Sequence, residues 1–244
     1  MPKDLSQNFD IIYPVVISTL GLFLAGMLTV YPLRVHENLI WRKPLIGSVF
    51  ASLCIFGILA VFFPKRCSEV FDFGRRKPSR LYLNNLASHK TSSTLQGHHP
   101  DCENFAGHVL QIDEKKFCAA CTGLLLGGLS TLVGTLLYFF GNWRVGPNSS
   151  LIVWIGVVGV ASGLFQLRFR SFARVFLNIF FVLGTFFILV GVDSLTHSVA
   201  VDLFLVALIV FWLFTRISLS RWDHERICYS CKVATCELSD RKGE

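Results

Sequence analysis

Six of the chain's eight cysteines fall into two tight groups that also hold histidine. The first reads His98-His99-Pro100-Asp101-Cys102, then His108, then Cys118-Ala119-Ala120-Cys121, a Cys-x15-Cys-x2-Cys spacing with three histidines beside it. Two thiolates separated by two residues can grip one Zn²⁺, because the intervening turn brings both sulfurs to neighbouring corners of a tetrahedron. A distant Cys and a His then complete the four ligands. The second group reads His224-x3-Cys228-Tyr229-Ser230-Cys231-x4-Cys236, again three thiols with an imidazole close by. It makes a second Cys₃His site, or Cys118/Cys121 and Cys228/Cys231 meet as two knuckles of one Cys₄ site that joins loop to tail. The spacing leaves both arrangements open. Iron–sulfur clusters also use soft thiolates, but thiolate mixed with imidazole favours zinc as the cofactor.

Cys118-x2-Cys121 has a second chemistry available. The pair lies where an apolar helix begins, and a helix N-terminus stabilises a thiolate, so thiol–disulfide exchange is the alternative to metal binding. His98, His99, Asp101 and Glu103 would line an open site in which a metal activates water, although a thiolate-rich set fits a closed structural site better. No glycine-rich phosphate loop, Gly-x-Ser-x-Gly elbow or His-Glu-x-x-His pair is present, which removes the common hydrolase and nucleotide-binding signatures.

The same residues carry a resemblance. Cys102, Gly107 and Cys118-Ala119-x-Cys121-Thr122-Gly123, followed by Gly127, resemble the signature of an uncharacterised prokaryotic family of predicted membrane proteins, in which a Cys-His pair precedes Cys-Ala-Arg-Cys-Thr-Gly entering a membrane helix. The likeness runs only from Cys102 to Gly127, with Glu103 where the family has His and Ala120 where it has Arg. It implies a membrane protein with a thiol site and no known activity.

The elements that must position these groups are membrane helices. Of 244 residues, 52% are hydrophobic and only 16% charged, far from the balance of a soluble domain. A bilayer core needs about 20 mostly apolar residues per helix, and such runs occur at 11–33, 44–63, 121–140, 150–167, 172–192 and 198–215. The expected fold is therefore an all-α polytopic bundle of six spans. Residues 1–64 supply the first two helices, 65–120 a Cys/His loop, 121–217 the remaining four helices and 218–244 a Cys-rich tail. Nineteen of the 23 Lys and Arg residues lie on the side of both termini and the long loop, so the positive-inside rule places both termini in the cytosol of a cell-membrane protein. Both cysteine groups then face a reducing compartment, where clustered thiols bind metal more often than they form stable disulfides.

Gly123-x3-Gly127 and Gly159-x3-Gly163 are small-xxx-small patterns that let helix backbones approach closely, which points to spans three and four as the tightest pair. No Asp, Glu, Lys or Arg lies near the middle of a span, which argues against an ion-coupled pump. Asp193, His197 and Asp202 gather where spans five and six meet, and read as a cap and turn with interfacial polar groups, the competing reading being an external metal or proton site. The run Arg75-Arg76-Lys77-Pro78-Ser79-Arg80 suits anionic lipid headgroups. It lacks the interleaved aromatics of a nucleic-acid surface. The expected partners are thus the lipid bilayer and a membrane protein or second copy, not nucleic acid. The expected function is that of a membrane scaffold or accessory subunit with a cytosolic zinc site, and the alternative is a membrane thiol–disulfide oxidoreductase.

Overall fold

A computed structural model describes residues 3–32, 39–62, 109–112, 115–141, 143–166, 169 and 171–230. Helix α1 (Lys3–Val30) and α2 (Arg42–Phe62) come first. A hairpin of β1 (Val109–Ile112) and β2 (Lys115–Cys118) follows, then α3 (Ala119–Thr135), which passes without a break into a π-helical turn (Leu136–Phe140). Helices α4 (Ser149–Leu164), α5 (Ser171–Thr196) and α6 (Val199–Ser230) complete the order. The all-α membrane bundle expected from the apolar runs is what forms. Five of the six described helices are long and apolar enough to cross a bilayer, and α4 is a shorter apolar helix.

Lipid is the solvent that explains the surface. Phe23, Phe56, Trp154 and Phe176 are each at least half exposed, a pattern that water would penalise and hydrocarbon does not. Within the bundle α5 is the central helix: 61% of its apolar window is buried, against 17% for α2. Its most extensive partners are α4 and then α3. The reason is steric. A Cβ on Gly123 would stand 2.5 Å from the Val175 carbonyl oxygen, and one on Gly159 would stand 2.6 Å from that of Phe180. The two glycine motifs therefore do not clamp spans three and four to each other, as their spacing had suggested. Each lays its helix against α5 instead, one at either side.

The hairpin was not expected. Its register, Val109 opposite Cys118 and Ile112 opposite Lys115, is antiparallel. Buried Leu110 and half-buried Phe117 pack with Ala119 and Val175, so the hairpin is pinned to the end of the α3/α5 pair. Helix α6 also departs from expectation. At about 1.5 Å per residue its 32 residues span roughly 48 Å, well beyond a bilayer core of about 30 Å. The helix continues through the segment assigned to the tail as far as Ser230.

Candidate functional site

The thiol pair is assembled by the junction of hairpin and helix. Cys118 is both the last residue of β2 and the N-cap of α3, with extended backbone (φ −71°, ψ 118°). Cys121 lies in the first turn, and its side chain is within hydrogen-bonding reach of the Cys118 sulfur. Neither is in a disulfide, and Cys118 is buried and Cys121 half-buried. The Thr122 hydroxyl donates to the Cys118 carbonyl at 3.0 Å, which fixes the entry of the chain into the helix.

Behind the pair stands a buried polar network that joins α5 to α6. Arg216 lies within electrostatic reach of Cys118, and its Nη2 donates to Asn178 Oδ1 at 3.0 Å. Asn178 Nδ2 donates to the Arg174 carbonyl at 2.6 Å. Arg174 donates through Nε to the Phe169 carbonyl at 2.6 Å and through Nη2 to Asp223 at 3.3 Å. The close approach at Gly123, whose Cβ would meet Asn178 Cβ at 2.7 Å, brings this network up to the first turn of α3.

Among the residues named from sequence, Cys118 and Cys121 are brought side by side. His224 and Cys228 lie four residues apart in the last part of α6. His98, His99, Cys102, His108, Cys231 and Cys236 lie outside the described residues. Among the described residues, no three His, Cys, Asp or Glu side chains gather in a way that would hold a metal ion. Comparison with known proteins places the chain in no family. No protein-family model, curated protein or solved structure matches it.

A second polar centre occupies the opposite end of the bundle. Arg42 Nη1 donates to Asp193 Oδ1 at 2.5 Å and to Asp202 Oδ2 at 2.6 Å, while Tyr138 Oη donates to Asp193 Oδ2 at 2.6 Å. Both carboxylates are fully buried and Arg42 is nearly so. The interfacial cap-and-turn reading therefore holds only for His197, which sits at a positive φ of 49° with its backbone N–H on the Asp193 carbonyl at 3.2 Å. Asp193 and Asp202 instead face inward, because Arg42 is there to receive them. Sequence reasoning counted Arg42 only as a marker of topology and missed Tyr138 altogether. The π-helical turn is what brings adjacent Tyr138 and Phe139 both inward. The one signal available was chemical: an Arg at the start of an apolar helix on the cation-poor face, with two aspartates at the ends of other helices on that face.

Proposed function

We propose that the chain is an integral membrane scaffold or accessory subunit whose cytosolic end carries a thiolate metal site, with Zn²⁺ as the metal. The observation that carries this reading is the presentation of Cys118 and Cys121 together, side by side at the junction of a hairpin and a helix. That junction supplies two neighbouring corners of a tetrahedron on a rigid support. Cys102, with one of His98, His99 and His108, is the ligand set that the sequence offers first. Cys228, Cys231 and Cys236 with His224 form either a second site or the other half of a shared one. A bound zinc would fix the loop and tail against the membrane-embedded helices, which is folding energy supplied by coordination. Arg216, within electrostatic reach of Cys118, would offset the negative charge of a thiolate-rich centre. The cation asymmetry supports a cytosolic position for this end and for both termini.

Elemental analysis of the purified protein beside a Cys118→Ser/Cys121→Ser variant tests the reading. Wild type is expected to carry one or two zinc ions per chain and the variant one fewer, with both still inserted, because their apolar surface faces lipid in either case. Wild-type protein isolated without chelator, free of metal and with all its thiols open to alkylation, would reject it.

One observation favours the second reading, a thiol–disulfide oxidoreductase: Cys118 occupies the N-cap itself, beside a buried arginine. There the Cys118 thiolate would attack a substrate disulfide, releasing one substrate thiolate, and Cys121 would then displace the second to leave a Cys118–Cys121 disulfide and a substrate reduced by two electrons. A Cys121→Ser variant would accumulate the mixed disulfide under this reading and would not under the first.

A further inference from the structure

The Arg42 centre lies at the other end of the bundle from the thiols and takes no part in the metal reading. Its oxygens can be accounted for one by one. Asp193 Oδ1 accepts from Arg42, Asp193 Oδ2 from Tyr138, and Asp202 Oδ2 from Arg42. Among the described residues, Asp202 Oδ1 is buried and has no hydrogen-bond partner, although the Asp193 carboxyl is within hydrogen-bonding reach of the Asp202 side chain. The charges do not close either. Among the described residues, two carboxylates share a single guanidinium in an interior where an unbalanced charge is expensive. Lys43 sits over the Tyr138 ring at 4.5 Å, half-buried, and the His197 ring places Nδ1 2.9 Å from the Asp193 main-chain carbonyl. Among the described residues, these are the other titratable groups that face the cluster.

We propose that Asp193 and Asp202 form a proton-binding site, in which one proton taken from the aqueous phase at the Arg42 end sits on Asp202 Oδ1 and is donated to the Asp193 carboxylate. This supplies the missing partner and leaves one carboxylic acid, one carboxylate and one guanidinium, a neutral set. Tyr138 keeps its own proton and remains a donor. A metal cation fits the same space poorly. Calcium and magnesium take six or more oxygen ligands, whereas here the Arg42 guanidinium already stands between the carboxylates and occupies three of their four oxygens by way of itself and Tyr138. The proton needs only the one free lone pair and the one neighbouring acceptor.

Infrared spectroscopy of the full-length protein in lipid vesicles tests the proposal without any assay of activity. Wild type at neutral pH is expected to show the carbonyl stretch of one protonated carboxylic acid, shifted on transfer to deuterium oxide. Asp202→Asn should lose that band completely, since its amide supplies the same donor without a titratable proton, and should fold as wild type does by circular dichroism. Should Asp202→Asn fail to fold, Asp193→Asn carries the same test, because it too removes one of the two sharing groups. A wild-type spectrum without such a band overturns the proposal. So does a band that survives in both variants, or a metal ion that co-purifies with wild type and is lost from Asp202→Asn.

Discussion

Alanine at Gly123 is the sharpest probe of how the bundle supports the thiol pair. Its Cβ would lie 2.5 Å from the Val175 carbonyl oxygen and 2.7 Å from Asn178 Cβ, where an ordinary contact begins at 3.4 Å. Helix α5 would therefore have to move away by about 0.9 Å at that point, and neither obstacle is the free end of a side chain that could swing aside. Overpacking of this kind costs about 1–3 kcal/mol, here near the upper value because the α5 backbone is itself struck. The gain in helix propensity from Gly to Ala, about 1 kcal/mol, offsets part of it, leaving a net loss of about 2 kcal/mol. Gly57, on the lipid-facing run of α2, has nothing within 4 Å of its Cβ position, so Gly57→Ala should keep the propensity gain of about 1 kcal/mol. Thermal unfolding in matched detergent, followed by circular dichroism, measures both. Because Asn178 also holds Arg216, Gly123→Ala should expose Cys118 to faster alkylation, whereas Gly57→Ala should not. A Gly123→Ala protein as stable as Gly57→Ala, with Cys118 no more reactive, would refute the account of close packing and its link to the thiol end.

Arg42→Gln should destabilise the bundle by about 3–5 kcal/mol, since it strips the counter-charge from buried carboxylates. Combining it with Asp193→Asn and Asp202→Asn should recover most of that loss in the same melting assay. His197→Gly should melt closer to wild type than His197→Val, because glycine relieves a left-handed backbone although it gives up the ring's contacts, while His197→Val should lose about 2 kcal/mol. Equal melting of the two His197 variants would show that the turn is not held in that conformation in the membrane.

Much of this molecule was legible in its apolar runs, because a membrane helix announces itself by length and composition without reference to a partner. The thiol pair was legible for a similar reason: Cys118 and Cys121 are local, and a two-residue spacing at the head of a helix has few geometries. What the sequence withheld was non-local. Arg42 meets Asp193 and Asp202 across separations of 151 and 160 residues, and no periodicity encodes a meeting of that kind. The glycine motifs were seen, but a small-xxx-small pattern specifies a smooth face and not the helix that will lie on it, so α5 was missed as the common partner. The hairpin escaped because its four-residue strands are too short to establish an alternation. Helix α6 ran on past its hydrophobic stretch because backbone hydrogen bonding does not stop where lipid does.

The separation between Arg42 and its partners has a meaning in time as well as in space. Asp193 is synthesised 151 residues after Arg42, which at ordinary rates of translation is about 8–30 s later. Throughout that interval α2 is already in the membrane with its guanidinium unmatched, and the charge must wait at the headgroup level, where a long side chain can reach water. Only when the α5–α6 turn emerges does Arg42 have its carboxylate partners, and that pairing ties the head of α2 to the ends of α5 and α6. A nascent chain stopped before residue 193 would hold α1 to α4 and most of α5 and still lack both carboxylates that receive Arg42.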